Sequence, residues 1–244
     1  MRANDPAAKQ RREPVLNTDF TQWRHLFKLD PEKPISDGAL ERLCASGTDA
    51  IVVGGSTGVT FGNTDSLLRR IRRYDVPCAL EVSDREAIVP GFDLYFIPVV
   101  LNASDVNWIV GQHHRAIREY GDVIPWDSIV TEGYVILNGS SAAARLTGAN
   151  AGLDAEDVAA YARMADKLFR FSIFYVEYSG AFGDMELVRK ARRSLERARL
   201  FYGGGIDGFE KAKRALAAAD AIVVGNVIYE HLERALETVR ALEH

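Results

Sequence analysis

The sequence has few cysteines and no long apolar run, and each absence excludes a class of protein. Cys44 and Cys78 are the only two cysteines in the 244 residues, and each stands in an apolar segment without a neighbouring histidine. Two buried thiols fit a reducing compartment, and they provide neither a disulfide framework nor a cysteine–histidine site. No stretch approaches the roughly 18 apolar residues of a membrane span. Any membrane contact should therefore be peripheral.

A strong charge of one sign is also missing. The net charge is -4, from 34 acidic and 30 basic residues, and no dense basic patch is interleaved with aromatic residues. This argues against a nucleic-acid partner. The first residues, MRANDPAAKQRREP, lack the apolar core of a signal peptide, so we expect a cytoplasmic protein. The length and composition predict a flexible polar extension over residues 1–20 and a single domain over residues 21–244.

Short apolar runs that alternate with helical segments are what the sequence does contain. Runs such as HLFKLD, AIVVG, LYFIPV and IFYVE are β-branched or aromatic, as in strands buried on both faces. Eight strands alternating with helices predict an α/β fold, a (βα)8 barrel of the TIM type, with a doubly wound open sheet as the alternative.

One connection in this alternation is too short. Only the twelve residues Val82 to Asp93 separate the third strand from the fourth, which is too little for a crossover helix with its loops. We therefore expect the third helix to be missing or degenerate, leaving an apolar opening in the outer ring.

The helix expected after the fourth strand, from Ser104 to Tyr120, flanks this opening. Its packing side is predicted to consist of Val106, Ile109, Val110 and Ile117. A second line at spacing four contains Trp108, Gln112 and Ala116. Such a line is usually structural, but here it is a candidate wall of a groove.

A carboxylate, Glu177, ends the apolar run Ile173 to Val176 and is followed by Tyr178, Ser179 and Gly180. Burying a carboxylate at the mouth of a strand is costly unless it has a partner or a task. One interpretation is that Glu177 pairs with an arginine while Tyr178 packs, since ion pairs also occupy strand ends. The other is that Glu177 belongs to a site.

Glycines follow the seventh and eighth strands, where barrels of this type commonly hold a phosphate through backbone N–H groups. Gly203 to Gly205 follow one strand, and Gly225 with Asn226 follow the other. Together they predict a phosphorylated ligand. Lys28 and Asp30, at the end of the first strand, suit a phosphate and a metal, although they could equally neutralise each other. The loop Gly54 to Val59 matches no nucleotide motif, and a tight turn that exposes Ser56 is the safer interpretation.

Six motifs, in the order FKLDP, SGTDAIVVGG, FDLYFIPVVLN, IFYVEYSG, LFYGGGI and IVVGNVIYE, carry a resemblance. From about Trp23 to the C-terminus the chain resembles the geranylgeranylglyceryl phosphate synthase family, together with its bacterial relative, heptaprenylglyceryl phosphate synthase. The resemblance implies a barrel prenyltransferase that joins sn-glycerol 1-phosphate to a prenyl diphosphate and releases diphosphate with Mg²⁺. That reaction forms the first ether bond of archaeal-type membrane lipids. The family's frequent homodimers imply a homodimer here.

The resemblance also implies site residues at the matching positions. Asp30 and Ser56 match positions assigned to magnesium, although a serine hydroxyl is a weak neutral ligand. The family positions that bind glycerol phosphate are matched by Lys28, Tyr175, Val176, Glu177, Tyr178, Ser179, Gly180, Gly205, Gly225 and Asn226.

These residue types suit the implied chemistry. Alkylating an alcohol with an allylic diphosphate needs a cation at the leaving group, which Asp30 holding Mg²⁺ can supply. It also needs a base for the hydroxyl, for which Glu177 is the candidate, and tyrosine rings can shield a developing allylic cation. Two other functions stay open: a sugar-phosphate isomerase or lyase that uses the same loops, and a barrel that only binds a phosphorylated ligand.

The prenyl length depends on the closed end of the groove. Ala116 stands where family members that make the twenty-carbon product can carry a large aromatic residue, and an open end would favour chains of roughly 25 to 35 carbons. Against this, VILNGSSAAARLTGA, ARLFYGGGI and IVVGNVIYE look more like archaeal members than bacterial ones. The expected substrate is therefore geranylgeranyl diphosphate, with Gln112 or Trp108 closing the groove.

Overall fold

Eight parallel strands form a closed barrel in the computed structural model, which describes residues 18–243. The strands follow one another in chain order, and β1 pairs with β8 to close the ring. The predicted (βα)8 barrel is confirmed, and the open sheet is excluded because its edge strands would not pair. The strands are β1 His25–Leu29, β2 Ala50–Val53, β3 Cys78–Glu81, β4 Leu94–Val100, β5 Ile129–Ile136, β6 Ile173–Glu177, β7 Arg199–Gly203 and β8 Ala221–Val224.

The barrel is built on the period of two along each strand. Side chains from all eight strands, among them Leu26, Val52, Phe96, Tyr175 and Phe201, fill the interior as one buried cluster. Alternate residues face outward and join a second cluster beneath the helices. Both faces of most strands are therefore buried, which explains their continuous apolar sequences.

The outer helices are α1 Asp37–Cys44, α2 Phe61–Ile71, α3 Gly111–Tyr120, α4 Ala142–Thr147, α5 Ala155–Arg163, α6 Met185–Arg193, α7 Phe209–Leu216, α8 Val227–Glu230 and α9 Leu232–Glu237. Side-chain caps begin several of them. Ser36 accepts from the Ala39 N–H, and a reciprocal pair of bonds between Thr60 and Asn63 opens α2. Such caps satisfy backbone donors that the first turn leaves free.

The predicted gap after β3 is present. The connection to β4 contains only a 3-10 turn, Arg85–Ala87, in place of a crossover helix. Without that helix four outward-facing side chains of the next two strands are only half-buried, whereas the outward-facing side chains of the other strands are buried. The four are Ile97, Val99, Ile129 and Thr131. The missing helix thus leaves part of the barrel wall uncovered.

Helix α3 does not pack as the sequence predicted. It begins at Gly111 and not near Ser104, and Asp105 caps a separate 3-10 turn, Val106–Trp108. None of its residues is buried, and the apolar side chains expected to pack, including Val106, Val110 and Ile117, are exposed. The physical reason is the gap: α3 stands at the edge of an open groove and has no continuous helix layer to join.

Few polar contacts hold α3 beside the barrel. His113 Nε2 lies 3.1 Å from the Pro98 carbonyl oxygen on β4, and Arg85 pairs with Glu119 at 3.0 Å. No helix within residues 18–243 has the length and apolar character needed to cross a membrane. The extension predicted over residues 1–20 lies mostly outside the described residues, and the single domain, the homodimer and the cytoplasmic location stay predictions.

Candidate active site

Glu177 ends β6 at the carboxyl mouth of the barrel and is almost fully buried. The Tyr134 hydroxyl donates to its Oε2 at 2.6 Å, and the Ser179 backbone N–H donates to its Oε1 at 2.5 Å. Burial raises the pKa of this carboxyl, although nearby Lys28 and the two hydrogen bonds oppose the rise. The interpretation that Glu177 pairs with an arginine is wrong: its cationic neighbour is a lysine. A carboxylate with a raised pKa is suited to general-base work near neutral pH.

Lys28 lies on β1 across the barrel mouth from Glu177. Its Nζ donates to Glu81 Oε1 at 2.5 Å. Burial lowers the pKa of Lys28, but the carboxyls of Glu81, Glu177 and Glu132 together raise it above its ordinary value. Lys28 is therefore charged, and its ion-pair partner is Glu81 and not Asp30. Glu81 was not predicted as a site residue, although it ends the apolar run of β3 just as Glu177 ends that of β6.

A third carboxyl, Glu132 of β5, is fully buried in the barrel interior. Neither of its oxygens has a hydrogen-bond partner among the described residues. Burial raises its pKa well above the ordinary value, the charge of Glu81 raises it further, and Lys28 only partly offsets this. Glu132 is therefore a neutral carboxylic acid beneath the charged pair. Its interior position follows from the period-two face that it shares with Val130 and Tyr134, a signal the sequence analysis did not use.

Two stacked tyrosines lie at the site, and one of them, Tyr134, lines the cavity. The rings of Tyr134 and Tyr175 stack with centroids 4.5 Å apart and an interplanar angle of 12°. Tyr175 is buried in the barrel interior, directly beneath Gly203, where an added Cβ would overlap its hydroxyl. Val176 faces the helix layer. Of the predicted binding stretch, the structure thus turns the side chains of Tyr175 and Val176 away from the cavity, whereas Tyr134, which the sequence analysis missed, lines it.

Of the two glycine loops, the one after β8 lies beside Lys28, and the one after β7 packs against the chain that follows Tyr178. Gly205 has φ +54°, and an added Cβ would overlap the backbone of Ala181 and Phe182. At Gly225 an added Cβ would meet nothing closer than the Lys28 carbonyl oxygen at 3.7 Å, so the backbone there is open. Lys33 Nζ donates to Asn226 Oδ1 at 3.4 Å, which places a second cation at this loop. Open glycine backbone beside two cations is a setting in which an anion can bind.

The remaining part of the predicted binding stretch, Tyr178 to Gly180, lies at the edge of the barrel mouth. The Tyr178 N–H donates to the Gly203 carbonyl at 2.6 Å, and Asn138 Nδ2 donates to the Ser179 carbonyl at 2.5 Å. Ser179 lines the cavity, and Gly180 has φ +84°. These bonds fix the chain that follows Glu177.

Asp30 and Ser56 were predicted as magnesium ligands. The Asp30 carboxylate accepts from the Glu32 N–H at 3.1 Å, and it lies so close to Gly55 that a Cβ there would overlap it. Ser56 follows Gly55 and lines the cavity. No group of three or more histidine, cysteine, aspartate or glutamate side chains within residues 18–243 could hold a metal ion. One carboxylate and one hydroxyl fit Mg²⁺, because this ion usually keeps several waters and takes its other ligands from substrate phosphates.

A groove of about 1100 Å³ leads away from this polar centre. Lys28, Ser56, Glu177 and Ser179 line its inner end, and at the far end it reaches Trp126 and Ile129, where β5 begins. One wall is the uncovered outer face of β4 and β5, and the other is α3 with Asn107 and Trp108 before it, including Gln112 and Ala116. The missing third helix is the reason that this space is open.

The fold and this arrangement define a TIM-barrel protein whose polar centre opens into a long apolar groove. The chain belongs to the PcrB family, whose profile matches residues 18–243.

Two relatives and one solved structure are consistent with membership of this family. The chain is 57% identical to the heptaprenylglyceryl phosphate synthase of Geobacillus thermodenitrificans over 92% of its length and 94% of that protein. It is 56% identical to the one of Anoxybacillus flavithermus, over 92% and 97%. The crystal structure of (S)-3-O-geranylgeranylglyceryl phosphate synthase from Thermoplasma acidophilum, in complex with sn-glycerol-1-phosphate, superposes with a TM-score of 0.77 at 26% identity, covering 90% of this chain and 95% of that one.

The neutral state of Glu132 predicts a pH-dependent stability. The folded protein keeps this proton at pH values where the unfolded chain, with an ordinary pKa of 4.5, has released it. The free energy of unfolding therefore falls as pH rises above that value, by up to about 1.4 kcal/mol per pH unit. Glu132→Gln keeps the shape and removes this dependence.

Urea unfolding of both proteins between pH 5 and 8 should show the variant gaining stability over the wild type as pH rises. The same exchange at exposed Glu210 on α7 is the matched control. A Glu132→Gln difference that stays constant across this range would contradict the neutral assignment.

Proposed function

We propose that the protein is a prenyltransferase that joins the free primary hydroxyl of sn-glycerol 1-phosphate to a prenyl chain and releases diphosphate. The observation that carries this proposal is the groove, since it begins at half-buried Lys28 and the buried carboxylates and continues along the outside of β4 and β5. The names of the relatives and the glycerol phosphate bound in the Thermoplasma acidophilum structure support it. A sugar-phosphate isomerase or lyase would enclose a small polar substrate and has no use for this apolar extension.

Glycerol phosphate fits the inner end of the groove. Its phosphate would contact Lys28 and the backbone at Gly225, and Gly205 and Asn226 would complete the phosphate site. The chain from Tyr178 to Gly180 would then lie against the glycerol carbons. The hydroxyl to be alkylated would face Glu177, which the Tyr134 and Ser179 bonds hold in place.

The proposed reaction needs one proton transfer and one displacement. Glu177 accepts the hydroxyl proton, the alcohol oxygen forms a bond to C1 of the prenyl chain, and the C1–oxygen bond to diphosphate breaks with its electron pair leaving on the diphosphate. Asp30 and Ser56 would hold Mg²⁺, which supplies positive charge to the leaving group. The ring of Tyr134, beside Glu177 on the cavity wall, is placed to face positive charge that develops at C1.

We propose heptaprenyl diphosphate as the prenyl donor, in place of the expected geranylgeranyl diphosphate. The names of relatives at 56% and 57% identity favour the longer chain. If each carbon takes roughly the volume of a water molecule, about 30 Å³, twenty carbons need about 600 Å³ and thirty-five need about 1050 Å³. The groove, at about 1100 Å³, also includes the inner end proposed for glycerol phosphate, so its volume accommodates twenty carbons with room for more. Trp108, Gln112 and Ala116 all line the groove, and the small side chain of Ala116 is consistent with a chain that extends past it.

Incubation with radiolabelled sn-glycerol 1-phosphate and prenyl diphosphates of increasing length, followed by organic extraction, tests the function. Label should enter the organic phase with every chain that fits the groove, with the highest kcat/KM for heptaprenyl diphosphate. EDTA should abolish transfer, and added Mg²⁺ should restore it. Absence of extractable label with all donors would refute the proposal, and labelled product formed only from the shortest donors would refute the chain length.

Replacing Glu177 by Gln removes the proposed base and preserves its shape. The rate constant of transfer should fall by about 100-fold to 10,000-fold, while glycerol phosphate still binds. Single-turnover kinetics with calorimetric binding measures both quantities. Near-normal turnover of Glu177→Gln would show that another group is the general base. Glu81→Gln, which alters the neighbouring carboxyl paired with Lys28, serves as the comparison and should weaken glycerol phosphate binding more than it slows the chemical step.

A large side chain at Ala116 should shorten the longest accepted donor. Ala116→Trp would place an indole across the groove and exclude the carbons beyond it, each of which contributes up to about 0.8 kcal/mol when buried. We expect kcat/KM for heptaprenyl diphosphate to fall while that for geranylgeranyl diphosphate is kept, with unchanged affinity for glycerol phosphate. An unaltered length preference would show that Ala116 does not limit the chain.

A further inference from the structure

The exposed apolar side chains of this protein are concentrated around the groove. Ten large hydrophobic side chains are exposed within residues 18–243, and eight of them form what we call the apolar rim: Phe61, Val106, Val110, Ile117, Tyr120, Val123, Trp126 and Leu146. The other two, Leu168 and Phe169, end the helical segment that follows α5. A concentration of this kind marks an interaction surface more often than a chance distribution does.

The apolar rim borders the groove along its length. Phe61 opens α2 and Leu146 lies in α4, both of which follow the carboxyl ends of strands, whereas Val123 and Trp126 stand just before β5 begins. The seven steps of β5 from Ile129 to Ile136, at about 3.3 Å each, separate the two ends by roughly 23 Å. The rim is therefore a strip beside the groove and not a local patch at its mouth.

Most of the rim belongs to the groove wall as well. Six of its members, all except Val106 and Val110, line the cavity. A protein partner seated permanently on these residues would seal the groove against a substrate chain. The occupant must instead cover the rim and still let an apolar chain pass laterally into the groove, which a fluid lipid surface does.

We propose that the apolar rim docks on a lipid bilayer and that the prenyl chain enters the groove sideways from it. This inference rests on the proposed function, since a long-chain prenyl diphosphate is an amphiphile that partitions into bilayers. It adds to that function a surface that the catalytic site itself does not require.

The charges beside the rim indicate which lipids it meets. Arg85 and Glu119 pair with each other at 3.0 Å, and Arg118, Asp122 and Asp127 are exposed nearby, so both signs are present. Such a surface has no strong attraction to anionic head groups. Docking is therefore driven by apolar insertion, and neutral phosphatidylcholine is a sufficient partner.

Trp126 has the properties of a tryptophan at a water–lipid boundary. Its indole N–H donates to the Gly121 carbonyl at 3.3 Å within the same loop, while more than half of the residue stays exposed. With its polar atom satisfied by the protein, the exposed part offers apolar ring surface. Tryptophan with this balance is typical of the boundary between water and lipid.

Sedimentation with phosphatidylcholine vesicles tests the proposal on the full chain. The wild type should partition to the vesicles, and high salt should not release it, because screening acts on charge and not on apolar contact. Val106→Asp and Val123→Asp, which stand toward opposite ends of the rim at 62% and 77% exposure, should each lower the partition coefficient by about 10-fold. Leu168→Asp, at 69% exposure outside the rim, is the matched control and should change it by less than about twofold.

Three results would overturn the proposal: no vesicle binding by the wild type, equal loss in the Leu168→Asp control, or dissociation of an oligomer by Val106→Asp on gel filtration. The last would assign the rim to a second copy of the chain. Prenyl transfer in detergent separates this test from that of the proposed function. Val106→Asp, which does not line the groove, should retain wild-type turnover with detergent-dispersed donor and lose it selectively with donor supplied in vesicles.

Discussion

The short connection between β3 and β4 is the constraint on which the rest of this structure depends. A parallel barrel requires a crossover after each strand, and the crossover normally covers the outer face of the sheet with a helix. Here the connection holds only the turn Arg85–Ala87, so part of the outer face of β4 and β5 loses its cover. The uncovered wall becomes a groove, α3 becomes its other wall, and the apolar residues of α3 stay exposed because no helix layer continues to bury them.

Charge balance governs the centre of the site in a similar way. Three carboxyls, Glu81, Glu132 and Glu177, surround one ammonium group, Lys28, inside the barrel mouth. Since an uncompensated charge is costly where water is excluded, the cluster lowers its charge by keeping Glu132 protonated. The direct partner of Lys28 is Glu81, which leaves Glu177 with only hydroxyl and amide donors and a raised pKa. Glu81 thus pairs with the Lys28 ammonium group, and a different carboxyl, Glu177, is suited to accept a proton.

The groove and the apolar rim are two consequences of one opening. A closed outer ring would have buried Ile117 and Val123 against a neighbouring helix; the open ring leaves them between cavity and solvent. The polar contacts that hold α3, from His113 to Pro98 and from Arg85 to Glu119, join the two walls without filling the space between them. The groove and the exposed apolar surface beside it therefore have a common cause in the backbone.

Much of the fold was determined by the sequence alone, because buried parallel strands have continuous apolar sequences and a twelve-residue connection cannot contain a helix. The same period-two and loop arguments placed Lys28, Glu177 and the glycines after β7 and β8 at one end of the barrel. Only the tertiary structure decided which groups meet there. Glu81 and Glu132 lie 51 residues apart in sequence, and nothing local indicates that both approach Lys28. Likewise, helical spacing in α3 identified an apolar face but could not show that it would lie open, since burial depends on the elements that pack opposite, and here the element that would have covered it is absent.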